Sequence, residues 1–254
     1  MTPWQCATLS LFGVALTLIP GAMLLGMVAV ERNASRDLID DTASAAALAV
    51  ALTLSLSPII WILATWLSLR LTATIVSVGY LIALAIDAAL IVLIVQHSRG
   101  VPLERRYGWK HSLPLVGLII ILIVGLIARV AAVQHLAYPV WVDSPHHDLV
   151  AQLLAEAGRV PEGYGALMPV SAFTYHFGFH TLAVAYAWLT GLERPDAILL
   201  LGQLLNALMP LSAYAFAWWT TRKPWASVGA AAIVGLVSLF PGYYVSWGRY
   251  TQLT

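Results

Sequence analysis

Charge is what this sequence most lacks. Only 10% of its 254 residues are Asp, Glu, Lys or Arg, against 60% hydrophobic residues, and the mean hydropathy is +0.83. A soluble domain carries about 25% charged residues, so this chain cannot cover a water-facing surface. It reads as an integral membrane protein. Its apolar runs are long and do not alternate, which excludes an outer-membrane barrel and fits helices. The net charge of +1 leaves no basic footprint for nucleic acid. The single cysteine, Cys6, excludes an internal disulfide and a Cys-rich metal centre. The first residues, "MTPWQCATLS", hold no Lys or Arg, and the apolar run continues to about Val30. A retained helix is expected there, not a cleaved secretory signal. No P-loop, Rossmann fingerprint or HExxH is present.

What is there is a series of spans. About 20 apolar residues cross a hydrocarbon core. Runs near 8–30, 45–68, 72–96, 113–133, 197–220 and 226–245 meet that length. A seventh stretch, 171–190, is short and holds Tyr175, His176, His180, Tyr186 and Trp188. Loop charge orients the spans. Arg99, Arg105, Arg106 and Lys110 mark one loop as cytoplasmic, and Arg32 and Arg36 mark another. The stretch "VDSPHHDLV" is then extracytoplasmic. If 171–190 crossed, Arg222 and Lys223 would fall outside. If it lies on the outer surface or dips in and returns, they fall inside. The second arrangement obeys the charge rule. The expectation is therefore an all-α polytopic bundle of about six spans, with short interfacial helices in one long outer loop, 134–196. In that loop a helix near 145–158 and an interfacial helix from about 174 to 190 are expected. Two regions are read: residues 1–112 with three spans, and 113–254 with the long loop. The final "WGRYTQLT" lacks a polar tail, so a continuation beyond Thr254 is expected.

Ionisable groups gather in the outer loop. Five of the seven histidines lie there: His135, His146, His147, His176 and His180. His176 and His180 are four apart, so on a helix they share a face. With Asp143 and Asp148 they can converge on one pocket. Asp143 also has a plainer reading, as a helix cap before Pro145, shared with Ser144. Trp141, Tyr164, Tyr175, Tyr243, Tyr244 and Trp247 read first as interface anchors. Arg249 and Arg129 lie near outer span ends, where they either snorkel or grip phosphate through a guanidinium fork. Asp87 stands inside span 72–96, a depth at which acids are paired or functional. Arg129 lies near the opposite face. "NAS" at Asn33 matches a glycosylation acceptor but falls in a cytoplasmic loop.

These residues resemble the GT-C superfamily of polytopic membrane glycosyltransferases over about 113–254. The likeness rests on a span followed by an outer loop with an acid in "VDSPHH". It continues through "YHFGFHTLAVAYAWLTGL" and ends at "FPGYYVSWGRYTQ". The resemblance implies sugar transfer from a polyprenyl-phosphate donor, on the extracytoplasmic face of a bacterial- or archaeal-type cytoplasmic membrane. The acceptor is a glycan, a lipid or a protein. It implies Asp143 and His147 as catalytic residues, with Asp143 the general base. Substrate contacts fall to His146, His176, His180, Arg249 and Arg129. Gly178 and His180 match the stretch that opens a surface helix, where His176 replaces a common proline. Asp143 has no acidic neighbour; Asp148 is five positions on. A divalent metal ion is left open, with Asp143, His147 and His180 as its candidate ligands. Two readings compete. Asp87 with Pro20, Pro58 and Pro210 points to a transporter or channel subunit. Asp143 with His146, His147, His176 and His180 points to a metal-dependent membrane hydrolase.

Overall fold

A computed structural model describes residues 3–31, 42–98, 109–170, 172–240, 242–246 and 248–254. Arg32, Asn33, Arg36, Arg99, Arg105, Arg106 and Trp247 lie outside the described residues. Four long helices come first: α1 Pro3–Glu31, α2 Thr42–Trp66, α3 Ala73–Ser98 and α4 Trp109–Val133. The long loop carries α5 Ser144–Ala157 and α6 Gly178–Thr190. Then come α7 Arg194–Thr221, α8 Pro224–Ala232 and the short α9 Gly242–Ser246. Single 3₁₀ turns occupy Gly165–Leu167 and Tyr250–Leu253. There is no strand among the described residues. The protein is an all-α bundle, and among the described residues six helical segments are long and apolar enough to cross a membrane.

Local chemistry fixes the helix ends. Pro145, Pro195 and Pro224 stand in the first turns of α5, α7 and α8, where a missing N–H costs no intrahelical bond. Gly158 and Gly191 close α5 and α6 in the left-handed conformation. Inside α1, Pro20 lacks the N–H that would serve the turn before it. The next amide, Gly21 N–H, donates to Thr53 Oγ1 of α2 at 2.9 Å. A Cβ at Gly21 would overlap the Ala49 carbonyl, so this glycine sets how closely α1 and α2 cross.

The long helices run between two ends of the bundle. At one, here the upper end, the Leu71 amide donates to the Gly158 carbonyl at 2.7 Å, and Arg70 donates to the Glu156 carbonyl at 2.8 Å. The Val160 amide donates to Thr65 Oγ1 at 2.9 Å. The α2–α3 connection is thereby tied to the loop after α5. The C-terminal ends of α1 and α3 and the α7–α8 turn lie at the other, lower end. The centre is α7, in which every residue from Ala197 to Ala207 is buried. A helix apolar all round must be covered all round. α4, α6 and α8 pack against it, with α1, α2 and α5.

Two expectations gain detail. The helix placed at 174–190 begins only at Gly178, and it is packed into the bundle. Nine consecutive residues, Phe179 to Ala187, are buried. Thr181 meets Ser57 Oγ of α2 at 2.8 Å, and Tyr186 donates to the Leu9 carbonyl of α1 at 2.8 Å. Its 13 residues cover about 20 Å, short of the roughly 30 Å core. α6 is thus sunk into the bundle without crossing it. Its uniformly apolar sequence, without a polar face, is the physical reason. Second, the span expected at 226–245 is present within the candidate span Pro224–Ser246, with a break inside it. It passes into a π turn at Ile233–Val237, leaves helical geometry near Ser238 and resumes as α9. Gly235 lies at the break, its α-carbon facing Pro210 of α7 and Ile121 of α4.

Candidate functional site

The start of α5 decides the geometry. Ser144, His147, Val150, Ala151 and Leu154 are its buried stripe, at helical spacing. His147 therefore points into the bundle, 1% exposed, while Asp143 is exposed. Asp143 occupies the N-cap position, yet its carboxylate makes no capping bond. Only its backbone carbonyl is used, accepting the His147 amide at 3.0 Å. The Ser144 hydroxyl turns back to the Val140 carbonyl. Neither side chain caps the helix, so the plain reading of Asp143 does not account for it.

From α5 and α6 two imidazoles meet. His147 Nδ1 and His180 Nε2 are 2.9 Å apart, and His147 Nε2 lies 2.6 Å from the Gly248 carbonyl oxygen. A carbonyl can only accept, so His147 carries its proton on Nε2. Its Nδ1 then accepts from His180 Nε2–H, which leaves His180 Nδ1 a bare acceptor. That atom is buried without a hydrogen-bond partner. Burial lowers the His147 pKa, opposed by the Gly248 carbonyl and the Asp143 charge. Burial, then the neighbouring His147, holds His180 well below the usual histidine range. Both rings are neutral at pH 7.

Gly248 is needed where it stands. Its φ is +62°, and a Cβ there would sit 3.0 Å from the Val140 carbonyl and 3.1 Å from Ser144 Oγ. Beyond it Tyr250 is wholly buried. Its ring stacks on Phe179 at 5.4 Å and meets His147 edge-on at 5.6 Å. One edge of the ring, Cδ1 and Cε1, lies against Gly202 of α7, where a Cβ would strike it. Burial raises the Tyr250 pKa, and its hydroxyl has no partner. Above this layer Tyr175 packs between His146, at 4.5 Å, and His176, at 4.3 Å. His176 Nε2 meets Thr251 Oγ1 at 2.8 Å.

The expected residues divide as follows. His146, His147, His176 and His180 share one aromatic layer with the 248–254 segment. Asp143 stands at its rim, close enough for its charge to raise the pKa of His147, and, after burial, that of Tyr175. His176 and His180 do not share a helical face, because His176 precedes α6. Asp148 turns away to Arg194, at 3.1 Å. Arg249 follows Gly248 and is exposed, its amide donating to the Tyr244 carbonyl at 2.8 Å. The Arg129 guanidinium lies against Gly242, where the same terminal segment begins. His135 is exposed in the loop after α4.

The donor set does not fit a metal ion. Both nitrogens of His147 are committed, one to His180 and one to a carbonyl. Among the described residues no three His, Cys, Asp or Glu side chains converge for ligation. Gly202, Gly248, Tyr250 and Thr251 form the layer without having stood out in the sequence. The one cue was a glycine between aromatic residues in "SWGRYTQ". Comparison with known protein families, with curated proteins and with solved structures finds no match to this chain.

Proposed function

We propose that this protein is a membrane glycosyltransferase that moves a sugar from a polyprenyl-phosphate donor to an acceptor hydroxyl or amide at its upper end. One observation carries the reading. An exposed carboxylate, free of capping duty, stands at the rim of a buried imidazole and aromatic layer at one end of a membrane bundle. Asp143 takes the acceptor's proton as the acceptor atom attacks the anomeric carbon. The bond from that carbon to the phosphate oxygen breaks, and the phosphate leaves with the electron pair. A positioned base contributes about 10²–10⁴-fold to such a step. Arg249, on the exposed rim, meets the departing phosphate, where negative charge builds. Arg129 supports the same segment from α4. His147 holds that segment in place and does not touch the sugar. His146, His176 and Tyr175 offer flat rings and ring nitrogens to a pyranose.

The upper end is assigned to the extracytoplasmic face. Arg222 and Lys223 follow the lower end of α7, and by sequence order Arg32, Arg36, Arg99, Arg105, Arg106 and Lys110 fall in the α1–α2 and α3–α4 connections or at the start of α4, together eight of the chain's 13 basic residues. The test is transfer from a radiolabelled polyprenyl-phosphate sugar by the purified protein in liposomes. Asp143→Asn should abolish turnover with expression and thermal stability unchanged. Undiminished turnover in that variant would reject the assignment.

A further inference from the structure

The upper-end site leaves unused an acid that lies within a candidate span. Asp87 lies in α3, two to three residues from the middle of the candidate span Ala73–Gln96, or about 4 Å along the axis. α3 is otherwise a lipid-facing helix, exposed along most of its length. Its covered stripe is narrow: Val76, Tyr80, Ala83, Asp87 and Leu90, at spacings of three and four. Asp87 is 9% exposed within it. The stripe faces α1, because a Cβ at Gly26 would touch Leu90 at 3.0 Å.

Among the described residues no Lys or Arg forms an ion pair with Asp87. The one ion pair among the described residues joins Arg194 to Asp148 at the upper end. α1 and α6 pack against α3. α1 carries one charged residue, Glu31, which has the same sign and lies toward the lower end, and one thiol, Cys6, near the opposite end. α6 presents His180, engaged with His147, and Tyr186, engaged with the Leu9 carbonyl. On α3 itself Tyr80 lies two turns above. It lines a small cavity of about 70 Å³ with Pro20, Thr53, Ser57 and Trp61. An unpaired ion at the bilayer centre is costly. An acid that has picked up a proton is neutral and can donate a hydrogen bond. Higher on the same contact, at the level of Tyr80, Pro20 withdraws the N–H that would serve the Leu16 carbonyl, leaving an acceptor along the α1–α3 seam.

We propose that Asp87 is a proton-binding site inside the membrane, holding one exchangeable proton at the α1–α3 contact, independent of the sugar-transfer reading. The ligand is a proton and not a metal cation, which would need several convergent oxygens.

The test uses dicyclohexylcarbodiimide, which partitions into the bilayer and adds to protonated carboxyl groups. The acid proton moves to a carbodiimide nitrogen and the carboxylate oxygen bonds to the central carbon. Rearrangement gives a stable N-acylurea; nothing leaves and no redox partner is needed. Peptide mapping of the full chain in liposomes at neutral pH should find one adduct on Asp87. The adduct should be lost in Asp87→Asn, kept in Asp87→Glu, and should decline as pH is raised. A water-soluble carbodiimide should instead mark the upper-end carboxylates. Infrared difference spectra of wild type and Asp87→Asn should show the loss of one protonated-acid C=O band. Absence of that band, or protection of Asp87 by sodium at fixed pH, overturns the proposal. If Asp87→Asn does not accumulate, the wild-type adduct map and Asp87→Glu decide the matter alone.

Discussion

Replacing His147 by Ala tests the buried dyad most directly. The substitution removes an imidazole that is 1% exposed and leaves two groups without partners, the Gly248 carbonyl and the His180 Nε2–H. A buried donor or acceptor left unpaired costs about 1–3 kcal/mol. Two of them give roughly 2–6 kcal/mol, before the packing of the lost ring against Tyr175, Phe179 and Tyr250 is counted. A net loss of about 4 kcal/mol is expected, since relaxation lets one of the two groups find water. The assay is reversible denaturant unfolding in detergent, followed by Trp fluorescence, with His147→Gln beside it. Glutamine carries one donor and one acceptor and should recover about half of the loss. A double-mutant cycle with His180→Ala should give a coupling of about 0.5–3 kcal/mol, the range found for groups in one network. If His147→Ala unfolds within about 0.5 kcal/mol of wild type, the range of an ordinary surface substitution, the hydrogen-bonded relay is not a structural element.

Three further outcomes follow from the same geometry. Because burial lowers the pKa of both His147 and His180, the unfolded chain binds protons that the folded chain refuses. Their stabilisation is complete above the ordinary value of 6.5 and is lost as pH falls toward the lowered ones, so stability measured from pH 7.5 down to about pH 5 should decline, and His180→Phe should flatten that slope. Gly202→Val should lower stability by about 1–3 kcal/mol, as overpacking does, since the Tyr250 ring occupies the space; Tyr250→Ala in the same chain should recover part of that loss in the same unfolding assay. Asp148→Ala should change stability by only about 0.2–1 kcal/mol, because the Arg194 side chain is 37% exposed and the pair is screened by water; a larger effect would show that Asp148 serves the site after all.

The spans were legible because length and hydropathy decide them. The charge-poor composition and the unbroken apolar runs place all six, and Pro195 and Pro224 sharpen two of the boundaries. α6 was not legible. A 13-residue apolar helix looks alike whether it lies on a surface or within a bundle, and only tertiary contacts with Ser57, Leu9 and Trp61 tell the two apart. The gathering of His146, His147, His176 and His180 followed from their crowding in one loop. Their roles did not. Which face of α5 holds His147 depends on where the helix starts, and a shift of one residue would exchange it with His146. The partner that commits His147 is a backbone carbonyl 101 residues away, and no side-chain pattern announces a carbonyl.

That carbonyl also explains how two imidazoles can be buried at all. A neutral ring loses little on leaving water if each polar atom finds a partner, whereas a charged one loses far more. The chain Gly248 carbonyl, His147, His180 satisfies three of the four ring nitrogens without any charge. The interior of the layer is therefore well suited to orienting rings and poorly suited to handling ions. On the proposed reading, a step that develops charge falls to the exposed rim, where Asp143 and Arg249 stand. The dyad bonds the backbone next to Arg249 directly to the first turn of α5, which Asp143 immediately precedes. Breaking it with His147→Ala should therefore raise KM and lower kcat together, through lost alignment of the two rim charges. His147→Gln should recover both. A loss of kcat alone in His147→Ala, unrecovered by Gln, would instead make the imidazole a direct participant in proton transfer.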